Sequence, residues 1–447
     1  MIFANFRAMA AATFVLAAPA LAQAQSLAEQ QRADIEFLRT EYVPRERAFT
    51  PETRANALAI IDELVAQAGS LTPEQLFLGF SRVTAAADNG HSLASYRHPG
   101  AAPTTRLPLA VGYFEDAGLV ILRALPPHQD LAGAVILEIE GRPAREVFDA
   151  LKRYYGGAST RRTIMAPRLI HSGGMLAAAE LADSSTEVTM RLRLRDGAEV
   201  ERTVPYVSTS TTGTGVWWAH RWWSPNPING DTDTPWATAI SDDNLPLYLQ
   251  DGDAFNQARA VPELDAVYLE LESNEADQDA RLFEQRAETV IREARPTNLI
   301  VDLRFNYGGD MTTTARYLQR LPERVTGRIF VIVGPFTFSA GMTSTAILLN
   351  AAGPRATIVG EDVGDRLRFW SEGDHICAPN SRFCVRYTDG YFDMIDGCDG
   401  EPRCRSENRR YNLVASLTPT LRAPMTWEAY LAKRDPSLEA IHAALGR

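Results

Sequence analysis

The chain has 447 residues, of which 45% are hydrophobic and 23% charged, and its formal net charge is −11. That length exceeds one ordinary core, so two or three subdomains are expected, and the composition is that of a globular protein. The charge is spread along the chain with no basic tract, which argues against nucleic acid as a partner.

Residues 1–24 read as a signal peptide: Arg7, an apolar run from Ala8 to Ala20, then small-residue cleavage sites at Ala20-Leu21-Ala22 or Ala22-Gln23-Ala24. No later apolar run approaches about 20 residues, so stable membrane insertion of the mature chain is not expected, and the protein is placed in the periplasm or outside the cell. Residues 25–105 form a helical subdomain. Its second and third helices open at Thr50-Pro51 and Thr72-Pro73 and close near Gly69 and Gly90. Residues 106–207 alternate as strands, with a hairpin signal at Asp196-Gly197.

Residues 208–235 are a connector rich in Gly, Thr, Pro and Trp; its GVWWAHRWW cluster is expected to pack two subdomains together. Residues 236–447 alternate strand and helix, through AVYLELES, DARLFEQRAETVIREAR, NLIVDLRF, DMTTTARYLQRL, RIFVIVG, SAGMTSTAILLNAAG and TIVG. Such alternation predicts an α/β sheet covered by helices. The four cysteines, Cys377, Cys384, Cys398 and Cys404, lie in one late segment. An even set in an exported chain implies disulfides; of three pairings the local one, 377–384 with 398–404, is the simplest. No C-x-x-C spacing supports zinc instead, and no cofactor or metal motif is present.

Three stretches bear on chemistry. In GPFTFSAGMTS (334–344), Ser339 lies between a buried strand and a helix, with Thr337 where a nucleophile elbow has its first glycine. The Ala340 N–H and the helix dipole would face a developing oxyanion, yet the same serine would serve as a helix N-cap. In DLRFNYGGD (302–310), Gly308 or Gly309 offers a second oxyanion donor, or only a tight turn. In AADNGHSLASY (86–96), His91 follows a helix in a polar turn. A serine hydroxyl needs such a base. His98, His128 and His171, placed in loops, and His220, His375 and His442 have weaker settings.

Together these stretches resemble the tail-specific, or C-terminal processing, serine peptidases and their tricorn core relatives. VDLRFNYGGD is similar to that family's D-[LV]-R-x-N-x-G-G turn, TFSAG to its nucleophile segment, and ATIVGEDVG to its A-x-x-V-G-E-x-x-G stretch. DNGHS is similar to D-x-H-[ST] with one residue inserted, and RDPSLEAI to the closing helix. The resemblance implies a crotonase/ClpP-like core of ββα units with a degenerate PDZ-like module at 106–207. Where one branch has a basic lysine, this chain has Gly364-Asp365-Arg366, so the resemblance implies the Ser–His branch, with Ser92 assisting.

The expected activity is that of an exported serine peptidase acting on peptides or proteins without a cofactor. Ser339 is the nucleophile, His91 the base, and Ala340 with Gly308 or Gly309 the oxyanion hole. Glu407 is the expected third member, by the resemblance of SENRRYN to a late M-E-N-x-G stretch, with Asp393, Glu372 and Asp365 as rivals. Asp302 and Arg304 read as a structural pair. A ligand- or peptide-binding protein on the same fold, or an esterase or amidase, are the alternatives. Oligomeric state has no signature in the sequence.

Overall fold

A computed structural model describes residues 25–211, 223–227, 232–250, 256–275, 278–405 and 413–446. The expected leader, His220 and most of the connector, and Glu407 lie outside these.

Helices α1 (Leu27–Phe37), α2 (Pro51–Ala66) and α3 (Pro73–Ala85) begin as the sequence indicates. Ser26, Thr50 and Thr72 each form a capping box, and proline occupies the first turn of α2 and α3. These devices satisfy N–H groups that a helix start leaves without partners. After α3 comes strand β1 (Leu93–Ser95).

Strands β2 (Leu109–Phe114), β3 (Gly118–Ala124), β4 (Val135–Ile139), β5 (Glu187–Arg193) and β6 (Glu199–Pro205) make an antiparallel sheet. Between β4 and β5 lie helices α4 (Ser159–Met165) and α5 (Pro167–His171). The hairpin expected at Asp196-Gly197 joins β5 to β6, with Gly197 at φ 89°. One continuous hydrophobic cluster joins this sheet to α1–α3, from Ile35 and Phe80 to Ile139 and Met190.

The second sheet runs β7 (Asn256–Val261), β8 (Ala266–Leu271), β9 (Asn298–Asp302), β10 (Ile329–Val333), β11 (Ala356–Gly360) and a last short strand, Leu421–Arg422. All neighbours are parallel except β7 and β8. Strands β8, β9 and β10 are buried at every residue, as parallel strands covered on both faces must be. Leu269, Val301 and Val331 face one cluster; Tyr268, Ile300 and Phe330 face the other. Helices α6 (Gln278–Ala294), α7 (Met311–Arg320) and α8 (Ala340–Ala352) follow β8, β9 and β10, and α9 (Pro436–Leu445) lies near the C-terminus.

Trp223 does pack two regions together. It is buried against Phe114 of β2 at 4.6 Å between ring centroids, and against Phe305 and Tyr430 of the C-terminal half. Both local disulfides form, Cys377–Cys384 and Cys398–Cys404. His171 is not in a loop, as expected, but ends α5; it is buried and its Nε2 accepts the Val111 N–H at 2.6 Å. Among the described residues no helix is long and apolar enough to cross a membrane.

Candidate active site

Two turns at the C-terminal ends of β9 and β10 interlock. The Phe338 N–H donates to the Asn306 carbonyl at 2.9 Å, and a Cβ on Gly341 would lie 2.5 Å from that same oxygen. Thr337, standing where an elbow has its first glycine, is a clamp: its Oγ1 donates to the Leu303 carbonyl at 2.7 Å and accepts the Gly334 N–H at 3.0 Å. Gly308, at φ 112°, presents its bare Cα to the second turn, where a Cβ would lie 2.8 Å from the Ser339 Cβ. Only glycine permits that approach.

Ser339 is held at φ 53° and ψ −122°, a region costly for any residue with a Cβ. Its hydroxyl makes no capping hydrogen bond to α8, which sets aside the N-cap role as the reason for a serine here. The side chain is half-buried. The Gly308 N–H donates to Asn306 Oδ1 at 3.0 Å and is committed to the turn. The N–H groups of Gly309 and Ala340 have no acceptor among the described residues.

His91 comes from the other half of the molecule into this neighbourhood. Its ring stacks on Phe338, next to Ser339, at 4.3 Å between centroids, and on Phe369 at 5.3 Å. The imidazole is 2% exposed, and neither nitrogen has a hydrogen-bond partner among the described residues. The Ser339–His91 hydrogen bond is therefore not made in this structure. Asp365 Oδ2 lies 3.6 Å from His91 Nδ1 and is likewise buried and unbonded. Gly364, before it, fits because a Cβ there would lie 2.5 Å from the Pro335 carbonyl.

Burial dominates both titrations. It pushes the His91 imidazole well below its ordinary value, assisted by Arg386 and Arg161, and raises Asp365 to about 6 against the pull of the Arg366 N–H and of Arg161. Asp393 instead binds Arg368 at 2.8 Å and the N–H groups of Ile395 and Asp396, and Glu372 lies 3.8 Å from Arg405. Of the four carboxylates that the sequence offers, Asp365 is the one the described structure brings to His91; Glu407 lies outside the described residues.

Ser92 has a different role from the one the resemblance implies. Its hydroxyl donates to the buried Glu46 at 2.7 Å, which also takes the Ala48 N–H and the Thr388 side chain and N–H. Asn89 completes this network, donating to Ser92 at 3.0 Å and to Thr388 at 3.3 Å. Strand β1 then pairs with Cys384–Arg386, which in turn pairs with His375–Cys377. The first disulfide thus closes the hairpin that holds the chain just beyond His91.

On the sheet side, Arg304 donates to Asp302 at 2.7 Å and forks onto Asp435, the N-cap of α9, at 2.9 and 3.1 Å. Both halves of the expected pair are structural, and Asp435 is a third partner that the sequence does not reveal. Glu361 supports the strand end by accepting the Met425 N–H at 3.2 Å. A cleft of about 390 Å³ opens beside these strand ends, lined by Phe114, Trp223, Phe336, Glu361 and Met425.

No family model matches the chain, and no curated protein matches it. Solved structures do. A point mutant of CPAF is similar with a TM-score of 0.59 at 11% identity, covering 94% of this chain and 97% of that one. Mature CPAF complexed with lactacystin gives 0.57 at 13%, covering 94% and 98%. The photosystem II D1 C-terminal processing protease gives 0.39 at 14%, covering 94% and 97%. Over nearly its whole length the chain therefore has the fold of CPAF.

Proposed function

We propose that the protein is an exported serine peptidase in which Ser339 attacks a peptide carbonyl. The observation that carries this reading is the strained backbone of Ser339, at φ 53°, with a hydroxyl that does not cap its helix. Strain of about 1–3 kcal/mol persists where function needs the geometry. His91 takes the hydroxyl proton and returns it to the leaving amine, Asp365 orients the imidazole and stabilises its cation, and water then hydrolyses the acyl-enzyme. The N–H groups of Ala340 and Gly309 receive the oxyanion. Bringing His91 onto Ser339 belongs to substrate binding, since catalytic hydrogen bonds often tighten only in the substrate complex.

In this reading the parallel sheet is a crotonase/ClpP-like core and 106–207 a degenerate PDZ-like module, with the helices of 25–105 packed on it. The disulfides and the N-terminal segment support export to the periplasm or beyond. A fluorophosphonate probe tests the proposal: covalent labelling at Ser339, lost in Ser339→Ala together with peptide hydrolysis, is the expected result. An unlabelled, inactive native protein would instead favour the ligand-binding alternative, for which the hydrogen-bond-free imidazole speaks.

A further inference from the structure

The paired glycines of the β9 turn face different neighbours. Gly308 turns its bare Cα to Ser339, whereas a Cβ on Gly309, at φ 122°, would lie 2.7 Å from the Asn274 carbonyl carbon and from the Glu275 nitrogen. Asn274 follows β8, is 0% exposed, and meets Gly309 in an isolated parallel bridge. Its backbone N–H donates to the Gly308 carbonyl at 2.8 Å. The Gly308–Gly309 peptide is trans, so its C=O and N–H point in opposite directions. Anchoring that carbonyl on Asn274 therefore turns the Gly309 N–H away from Asn274, and the N–H has no acceptor among the described residues.

The side chain fixes where the anchor stands. Its Nδ2 donates to Thr314 Oγ1 on α7 at 2.6 Å and to Ser344 Oγ on α8 at 3.0 Å, which uses both hydrogens. Both acceptors are buried. Helix α7 follows the glycine turn, and α8 opens at Ala340. One asparagine thus ties together the segments that carry the Gly309 and Ala340 N–H groups. Its Oδ1 is sealed from solvent and has no partner among the described residues. An unsatisfied buried acceptor costs stability that an apolar side chain would avoid, so packing alone does not account for an asparagine here.

We infer that Asn274 is a positioning residue that sets the Gly309 N–H relative to the Ala340 N–H, as the two donors of one oxyanion site. That role rests on the peptidase reading of Ser339 and deepens it. Oxyanion donors act only where charge develops, and a misplacement of about 1 Å can cost roughly 100-fold. Asn274 acts through the peptide it holds.

Such a misplacement weakens the transition state rather than substrate binding. In Asn274→Ala, kcat for a peptide substrate should fall by about 10- to 100-fold, with KM within about twofold of the native value. Sites are counted by fluorophosphonate labelling carried to completion, so that kcat refers to competent Ser339 and an unfolded fraction does not enter. The rate of that labelling should fall as well, because the phosphonyl oxygen gains charge in the same place. A purely structural asparagine would lower the labelled fraction and leave kcat per labelled site unchanged. That result, or a rise in KM alone, overturns the inference.

Ser344→Ala supplies a second, milder arm. Loss of one of the two acceptors should lower kcat per site by about 3- to 10-fold. Added to Asn274→Ala it should cost little more, because both variants break the same link. Losses that multiply overturn the inference, and so does an unchanged kcat in Ser344→Ala should Asn274→Ala not fold. A native protein that is not labelled at Ser339 would sink the peptidase reading itself. A labelled, active native enzyme with an unaltered kcat per site in Asn274→Ala would sink this inference alone.

Discussion

Asp365 Oδ2 stands 3.6 Å from Nδ1 of His91, both buried, although 274 positions separate them in the sequence (365 − 91). A buried carboxylate at that ring nitrogen fixes the tautomer whose other nitrogen can accept a proton. Asp365→Asn should therefore lower kcat by about 100- to 10,000-fold while leaving the far-UV spectrum unchanged. Glu407→Gln should leave kcat within about a factor of three, and a large loss there would return the role to Glu407.

The pH dependence has a defined sign. Asp365 is raised to about 6 by burial, and His91 is depressed below its ordinary value. On acidification, protonation of Asp365 removes the anion that stabilises the imidazolium. Activity should be present above about pH 6 and fall below it, tracked by kcat/KM across pH 4.5–8. A profile flat down to pH 5 would show that activity does not depend on a carboxylate titrating near 6.

Backbone strain at Ser339 makes stability and activity oppose each other. Ser339→Gly removes the Cβ responsible for the cost at φ 53° and should gain about 1 kcal/mol in denaturant unfolding while abolishing labelling. Ser339→Ala keeps the strain and should gain much less. Equal stability of the two variants would show that the turn relaxes freely.

The Asp302–Arg304–Asp435 network ties β9 to the start of α9. Arg304→Met would leave two buried carboxylates facing each other and should cost about 3–5 kcal/mol, read from the chemical-denaturation midpoint.

The hairpin closed by Cys377–Cys384 should matter to activity as well as stability. Replacing both cysteines by alanine should cost about 2–3 kcal/mol, the entropy of a short closed loop. It should also lower kcat/KM more than Cys398→Ala/Cys404→Ala does, because only the first hairpin pairs with the strand after His91.

Much of the sheet is legible directly. AVYL, LIV and IFVIV are apolar runs because parallel strands bury both faces, and helix starts at Thr50 and Thr72 carry their caps in the sequence. Strand β7, NQARAV, escapes notice because it is an edge of mixed polarity, and Leu421–Arg422 because two residues have no period. At the site, Ser339, His91 and the glycines announce themselves through local turn chemistry. Asp365 ranks below Glu407 on sequence, because the spacing of a lone carboxylate says nothing about what it meets in space. The one local hint is Gly364 beside it, needed for close approach to Pro335.

Glu46 and Thr388 are hydrogen-bonded across 342 positions of sequence, and β1 takes its partner from the same late hairpin. A ribosome or an export channel delivers the early segment long before the late one. The turn that carries His91 must then wait, unanchored, until almost the entire polypeptide has emerged. Any hydrolytic power this protein has is thereby withheld from the nascent chain, and a product cut short before the hairpin would be inert rather than harmful.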